Sequence, residues 1–142
     1  MFTQTVILFV SLVALTSAGQ QAVSVEGMVT CNGSPYKDAK IKIYELDTLH
    51  DDELARTFSN ADGKFRLGGS QSELGGISAQ LNIYHKCEMP FYKKVLPMCY
   101  YKATFPIPTR YLQSGSVSEP YNVQTIELSL HAKGYDCINR RR

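Results

Sequence analysis

The chain has 142 residues, 15 Lys and Arg against 13 Asp and Glu, a formal net charge of +2 and no tryptophan. So mild a balance argues against nucleic acid as the main partner. The length allows one domain with a sizeable core rather than several.

Val6 to Leu15 is a ten-residue stretch that is apolar but for Ser11, too short to span a bilayer. Thr16-Ser17-Ala18 follows, with small residues where a signal peptidase cleaves. Residues 1–18 therefore read as a secretory signal peptide, although the n-region holds no Lys or Arg, and residues 19–142 as the mature domain. No second apolar stretch is long enough to cross a membrane, so no transmembrane segment is expected.

Residues 25–46 carry two alternating segments around Asn32-Gly33-Ser34-Pro35. Val25, Gly27 and Val29 share one face; Ala39, Ile41 and Ile43 share another, with Lys40 and Lys42 opposite. This period of two marks strands buried on one side. Asp47 to Ala55 reads as an acidic, solvated connection with room for one helical turn, and Arg56 to Ser59 as a brief strand. Gly63 in Asn60-Ala61-Asp62-Gly63 is free to take φ > 0 in a turn, and Phe65 and Leu67 then point inward. Gly68 to Gly76 reads as a Gly/Ser-rich loop. In the strand Ile77 to Cys87, Leu81 and Ile83 face in, and Asn82, Tyr84 and Lys86 face out. Lys93 to Phe105 reads as a long strand broken at Pro97 and ended by Pro106 and Pro108, which cannot donate to a ladder. After a polar loop over 113–120, Tyr121 to His131 closes the domain, with Ile126, Leu128 and Leu130 inward and Glu127 and Ser129 outward. The sum is seven or eight short strands with no long amphipathic helix, the pattern of an all-β sandwich.

Four cysteines remain: Cys31, Cys87, Cys99 and Cys137. In a secreted chain an even count reads as two disulfides, and three connectivities are open. No C-x-x-C pair supports zinc instead. The proximity of Cys87 and Cys99 across a hairpin loop containing Pro90 favours their pairing, which leaves Cys31 for Cys137.

With these residues laid out, the chain resembles the nematode transthyretin-like family. The resemblance rests on Gly27-x-Val29-x-Cys31-Asn32-Gly33-x-Pro35 followed by Ala39 to Glu45, then Asp47-Thr48-Leu49 and Asp52-x-Leu54-Ala55. Asp62-Gly63-x-Phe65-x-Leu67, Ile83-Tyr84-His85-x-Cys87, Phe105-x-Ile107-Pro108 and Asp136-Cys137 complete it. It implies a transthyretin-like (prealbumin-like) β-sandwich of two antiparallel-rich sheets, secreted and usually disulfide-bonded. The long Cys87–Cys99 segment with Pro97-Met98 and the Arg140-Arg141-Arg142 tail depart from the family pattern. Related hydrolases of 5-hydroxyisourate end in Tyr-Arg-Gly-Ser; this chain ends Gly134-Tyr-Asp-Cys-Ile-Asn-Arg-Arg-Arg142.

No catalytic constellation is legible. His50, His85 and His131 fall in a loop and on two strands, with no Ser, Cys or Asp at a motif spacing. His85 suits a structural role beside Cys87 better than a ligand contact. The acidic residues Asp47, Asp51, Asp52 and Glu53 lack the glycine a calcium loop needs. No cofactor or metal site is expected. Asn32-Gly33-Ser34 is a formal N-glycosylation acceptor, which Pro35 and the nearby Cys31 disfavour. Tyrosines and lysines interleave in the second half, which suits an interface or an anionic lipid surface. Tyr84, Lys86, Tyr100, Tyr101 and Lys102 are the candidate binding residues. The function expected is that of a secreted extracellular binding or adaptor protein, not an enzyme, that recognises a protein, a lipid surface or a small lipophile. The alternative is an oligomeric small-molecule carrier, with a degenerate 5-hydroxyisourate hydrolase third.

Overall fold

The computed structural model describes residues 20–46, 52–72, 78–114, 119–131 and 134–138. The expected signal segment 1–18, residues 47–51 of the acidic connection with His50, and the arginine tail 140–142 lie outside the described residues. The strands in chain order are β1 (Gln20–Cys31), β2 (Ser34–Pro35), β3 (Lys40–Leu46), β4 (Asp52–Phe58), β5 (Lys64–Ser72) and β6 (Ser78–His85). A four-residue helix α1 (Phe91–Lys94) follows, then β7 (Tyr100–Ile107), β8 (Gln113–Ser114), β9 (Tyr121–Glu127) and β10 (Gly134–Asp136). Two of these, β2 and β8, are two-residue bridges.

The strands form two sheets. In the first, β1 is central: β5 and β2 pair with it antiparallel, as does β8, while β9 runs parallel to it. The second sheet has the order β10-β7-β6-β3-β4 and is antiparallel throughout. The inner faces meet through Val23, Val25 and Val29 of β1, Phe65 and Leu67 of β5, Ile41 and Ile43 of β3, and Leu81 and Ile83 of β6. The period-2 positions of the sequence are thus the core, each side chain contributing about 1.5–3 kcal/mol on burial.

Two turns set the register. Asn32 and Gly33 both have positive φ (51° and 80°), the geometry a two-residue hairpin turn requires. Glu127, on β9, clasps that turn. Its carboxylate accepts from the backbone N–H of Asn32 at 3.0 Å and of Gly33 at 2.7 Å, and from Thr30 Oγ1 at 3.0 Å. Gly63 has φ 74°, and a Cβ there would lie 2.4 Å from the Val29 carbonyl oxygen, so no other residue fits.

The structure departs from the sequence expectation in several places. Residues 68–72 continue β5, paired as far as Ser72 with Gln20, rather than forming a loop. Gly69 is small because a Cβ would lie 2.7 Å from the Leu54 carbonyl oxygen. Residues 52–55 are strand, not connection or helical turn, because Asp52 pairs with Glu45 along β3. The expected long strand from Lys93 begins only at Tyr100. Pro90 precedes α1, and its carbonyl accepts from the Lys93 N–H at 3.0 Å, which starts a helical turn in place of a ladder. Leu130 is 69% exposed rather than inward. A 3-10 turn over Leu128–Leu130, whose Ser129 N–H donates to Glu127, breaks the alternation there.

The disulfides join Cys31 to Cys87 and Cys99 to Cys137, not Cys87 to Cys99 and Cys31 to Cys137. Strand adjacency decides the pairing. Cys31 ends β1 and Cys87 lies just past β6, so their bond staples the two sheets together. Cys99 precedes β7 and Cys137 follows β10, and the antiparallel pair Tyr100 and Asp136 brings the two cysteines opposite each other.

Candidate functional site

The segment between Cys87 and Cys99 is fixed at both ends and apolar on its outside. Cys87, Met89 and Cys99 are buried. Glu88 turns the chain at φ 57°, the Met89 N–H donates to the Lys86 carbonyl at 3.1 Å, and the Cys99 N–H donates to the Leu96 carbonyl at 3.1 Å. Lys86 Nζ donates to the Pro97 carbonyl at 3.0 Å, tying the segment to the end of β6. Between these anchors Phe91 is 84% and Tyr92 72% exposed, and Val95, Leu96 and Met98 are each at least half exposed. Single exposed apolar residues are ordinary, but a run of them on one short segment marks an interaction surface. Each disulfide holds one end, so little chain entropy remains to be lost on docking.

Of the residues that the sequence singled out for binding, Tyr84, Tyr100 and Lys102 share the outer face of the second sheet, whereas Tyr101, opposite His85 in the ladder, has the inward parity of Ile83 and Ala103, and Lys86 lies just past β6. Tyr84 is wholly buried, as is Asn82, and Lys42 nearly so; the expectation that they face solvent is corrected. Burial raises the Tyr84 phenol above its usual range, with the Asn82 side chain opposing. Lys42 lies over the rings of Tyr84 and Tyr44 and 3.5 Å from Glu53. Lys40 and Lys86 both lie over Tyr100, at 4.9 and 4.8 Å from its centroid. Lys102 pairs with Asp136 at 3.4 Å, and Lys93 lies over Tyr101 and Tyr135. Lysine stems cover tyrosine faces, and the ammonium groups interact with ring quadrupoles. Tyr84 therefore belongs to an internal layer. Lys86 and Tyr101 instead support the apolar segment, one through Pro97 and the other through Lys93.

His85 is buried, and its Nδ1 accepts the Cys87 N–H at 3.1 Å. That is the structural role its position beside Cys87 suggested, and it places the ring proton on Nε2. Burial pushes its pKa down to about 4, with the His131 backbone partly opposing the shift, so the ring is neutral at physiological pH. Asn32 is exposed at the tip of its turn. Among the described residues no three His, Cys, Asp or Glu side chains gather as a metal site, and no helix is long and apolar enough to cross a membrane.

Sequence reasoning missed Phe91, Val95, Leu96 and Met98 as surface residues. Glu88 to Tyr92 reads as a turn in the sequence, and Val95-Leu96 as part of the long strand from Lys93. The signal that could have found them is the bracketing by Pro90 and Pro97, inside a pair of cysteines.

Fold and site together define a disulfide-stapled β-sandwich with an exposed apolar segment. Residues 26–108 match the model of the transthyretin-like family. The chain is 33% identical over 140 residues to Transthyretin-like protein 33 of Caenorhabditis elegans, covering 92% of this chain and 94% of that one. It is 32% identical to Transthyretin-like protein 5 of the same animal, over 84% and 86% of the two chains. It is also 32% identical to Transthyretin-like protein 46, over 80% and 63%. The chain belongs to the transthyretin-like family.

Proposed function

We propose that this protein is secreted and works by binding rather than by catalysis, as an extracellular adaptor whose recognition element is the segment 91–98. The observation that carries the reading is the exposed apolar run Phe91, Tyr92, Val95, Leu96 and Met98, clamped between Cys31–Cys87 and Cys99–Cys137. The run is exposed along a short segment, so it suits insertion into a groove on a protein or into a lipid interface. The neutral His85 and the mutually engaged lysines support this reading, because neither supplies an activated acid, base or nucleophile.

The test is a comparison of the mature wild-type protein with Phe91→Ser/Leu96→Ser. One arm is affinity capture from the extracellular fluid of the source animal. The other is vesicle flotation with neutral or anionic lipid at low and high salt. The wild type captures a protein or floats with vesicles. Losing two apolar side chains that docking would bury weakens that binding about a hundred-fold. Equal binding by the two proteins overturns the reading. Light scattering separates the competing oligomeric carrier, which a monomer excludes.

A further inference from the structure

A second feature lies on the outer face of the first sheet, away from the apolar segment. A solvent-open hollow of about 680 Å³ is lined by Glu26 and Met28 of β1, Lys64 and Arg66 of β5, and Asn122 and Thr125 of β9, with Phe58 and Asn60 at its side. The register makes it one patch. Glu26 pairs with Arg66 and Asn122, and Met28 with Lys64 and Thr125. The concavity has a local cause: the β1–β9 register shifts between Glu26 and Met28, and Gln124 takes φ 65°. Gly27 at the shift has no room for a side chain, since a Cβ would lie 2.4 Å from Val123 Cγ2 and 3.0 Å from Phe65 Cζ.

The charges here differ from those on the second sheet. Lys42, Lys102 and Arg56 have carboxylate partners. Lys64 and Arg66 have neither an ion pair nor a side-chain hydrogen bond among the described residues. The amides add donors. Asn60 Oδ1 already accepts from the backbone N–H groups of Asp62 and Lys64, and Asn122 Oδ1 from that of Gln124. The NH2 groups of both side chains remain to donate. The hollow is therefore rich in donors, with Glu26 as its one carboxylate, and Met28 and the half-exposed Phe58 give it an apolar surface. Its size is that of a small-ligand site.

We propose that the hollow binds a sulfated or phosphorylated saccharide unit. The ester oxyanion lies against Lys64 and Arg66, where charge-assisted hydrogen bonds are strongest. A ring hydroxyl donates to Glu26, other hydroxyls accept from the Asn60 and Asn122 amides, and the apolar face of the sugar ring covers Met28 and Phe58. A bare anion would leave Glu26 opposed and the apolar surface uncovered. The proposal is independent of the segment 91–98, which lies on a different part of the molecule.

Isothermal titration of the mature, oxidised protein tests it, with glucose 6-sulfate, glucose 6-phosphate, glucose and inorganic sulfate as probes. At least one ester binds, and a preference between the two esters identifies the source chemistry. Glucose alone gives no heat of binding, and inorganic sulfate binds more weakly than the ester. Lys64→Ala/Arg66→Ala lowers ester affinity at least about ten-fold. Both positions are exposed, so an unchanged melting temperature shows that the variant is folded. Phe91→Ser/Leu96→Ser leaves ester binding unchanged. No binding of either ester, equal affinity for inorganic sulfate, or undiminished binding by Lys64→Ala/Arg66→Ala overturns the proposal.

Discussion

Removing the bond between Cys31 and Cys87 tests how the two sheets are held together. The cysteines are 56 residues apart. Closing a loop of that length removes about 14 cal/mol/K of entropy from the unfolded chain, about 4 kcal/mol at 25 °C. Strain and residual structure commonly reduce such a gain, so the expected loss for Cys31→Ala/Cys87→Ala is about 2–4 kcal/mol. Against a domain stability of about 5–15 kcal/mol that is a large fraction, and the melting temperature should fall by about 10 °C or more. Urea unfolding followed by circular dichroism measures the loss, and peptide mapping under non-reducing conditions identifies the bond. A loss below about 1 kcal/mol, or a linked peptide joining Cys87 to Cys99, would refute the staple.

Other expectations follow from single residues. Glu127 is held down to about pH 2 by hydrogen bonds from Ser129, Gly33 and Asn32. Its folded pKa lies below its unfolded one, so its contribution is complete above the ordinary carboxylate range and is lost as pH falls towards 2. Glu127→Gln should flatten the acid limb of a stability–pH profile, and an unaltered limb would contradict the clasp. Ile83→Ala, at a wholly buried position between the sheets, should cost about 2–5 kcal/mol in denaturant unfolding. Gly63→Ala places a Cβ against the Val29 carbonyl; it should destabilise by more than about 1 kcal/mol, measured in the same way.

Much of the scaffold was legible because alternation is a local signal. Val25, Val29, Ile41, Ile43, Phe65, Leu67, Leu81 and Ile83 all point inward as their spacing implies. Alternation does not reveal when the opposite face is packed too. Lys42, Asn82 and Tyr84 look solvated in sequence, yet they form a layer of lysine stems over tyrosine rings. Glycines misled in the same way. Gly68 and Gly69 suggest a loop, whereas β5 continues through them and Gly69 lets β4 approach closely. Cysteine pairing was hidden because strand order, not sequence distance, places Cys31 beside Cys87 and Cys99 beside Cys137. The apolar segment escaped because Val95 and Leu96 suit the long strand expected from Lys93, whereas a segment clamped at both ends holds them outside.

Hydrogen exchange read by mass spectrometry, on the protein free and bound to its captured partner or vesicle, tests the recognition element most directly. Residues 89–99 should gain protection on binding, while the outer face of the second sheet around Tyr84 stays unchanged. Protection confined to the second sheet, with the segment 89–99 exchanging as in the free protein, would contradict the assignment.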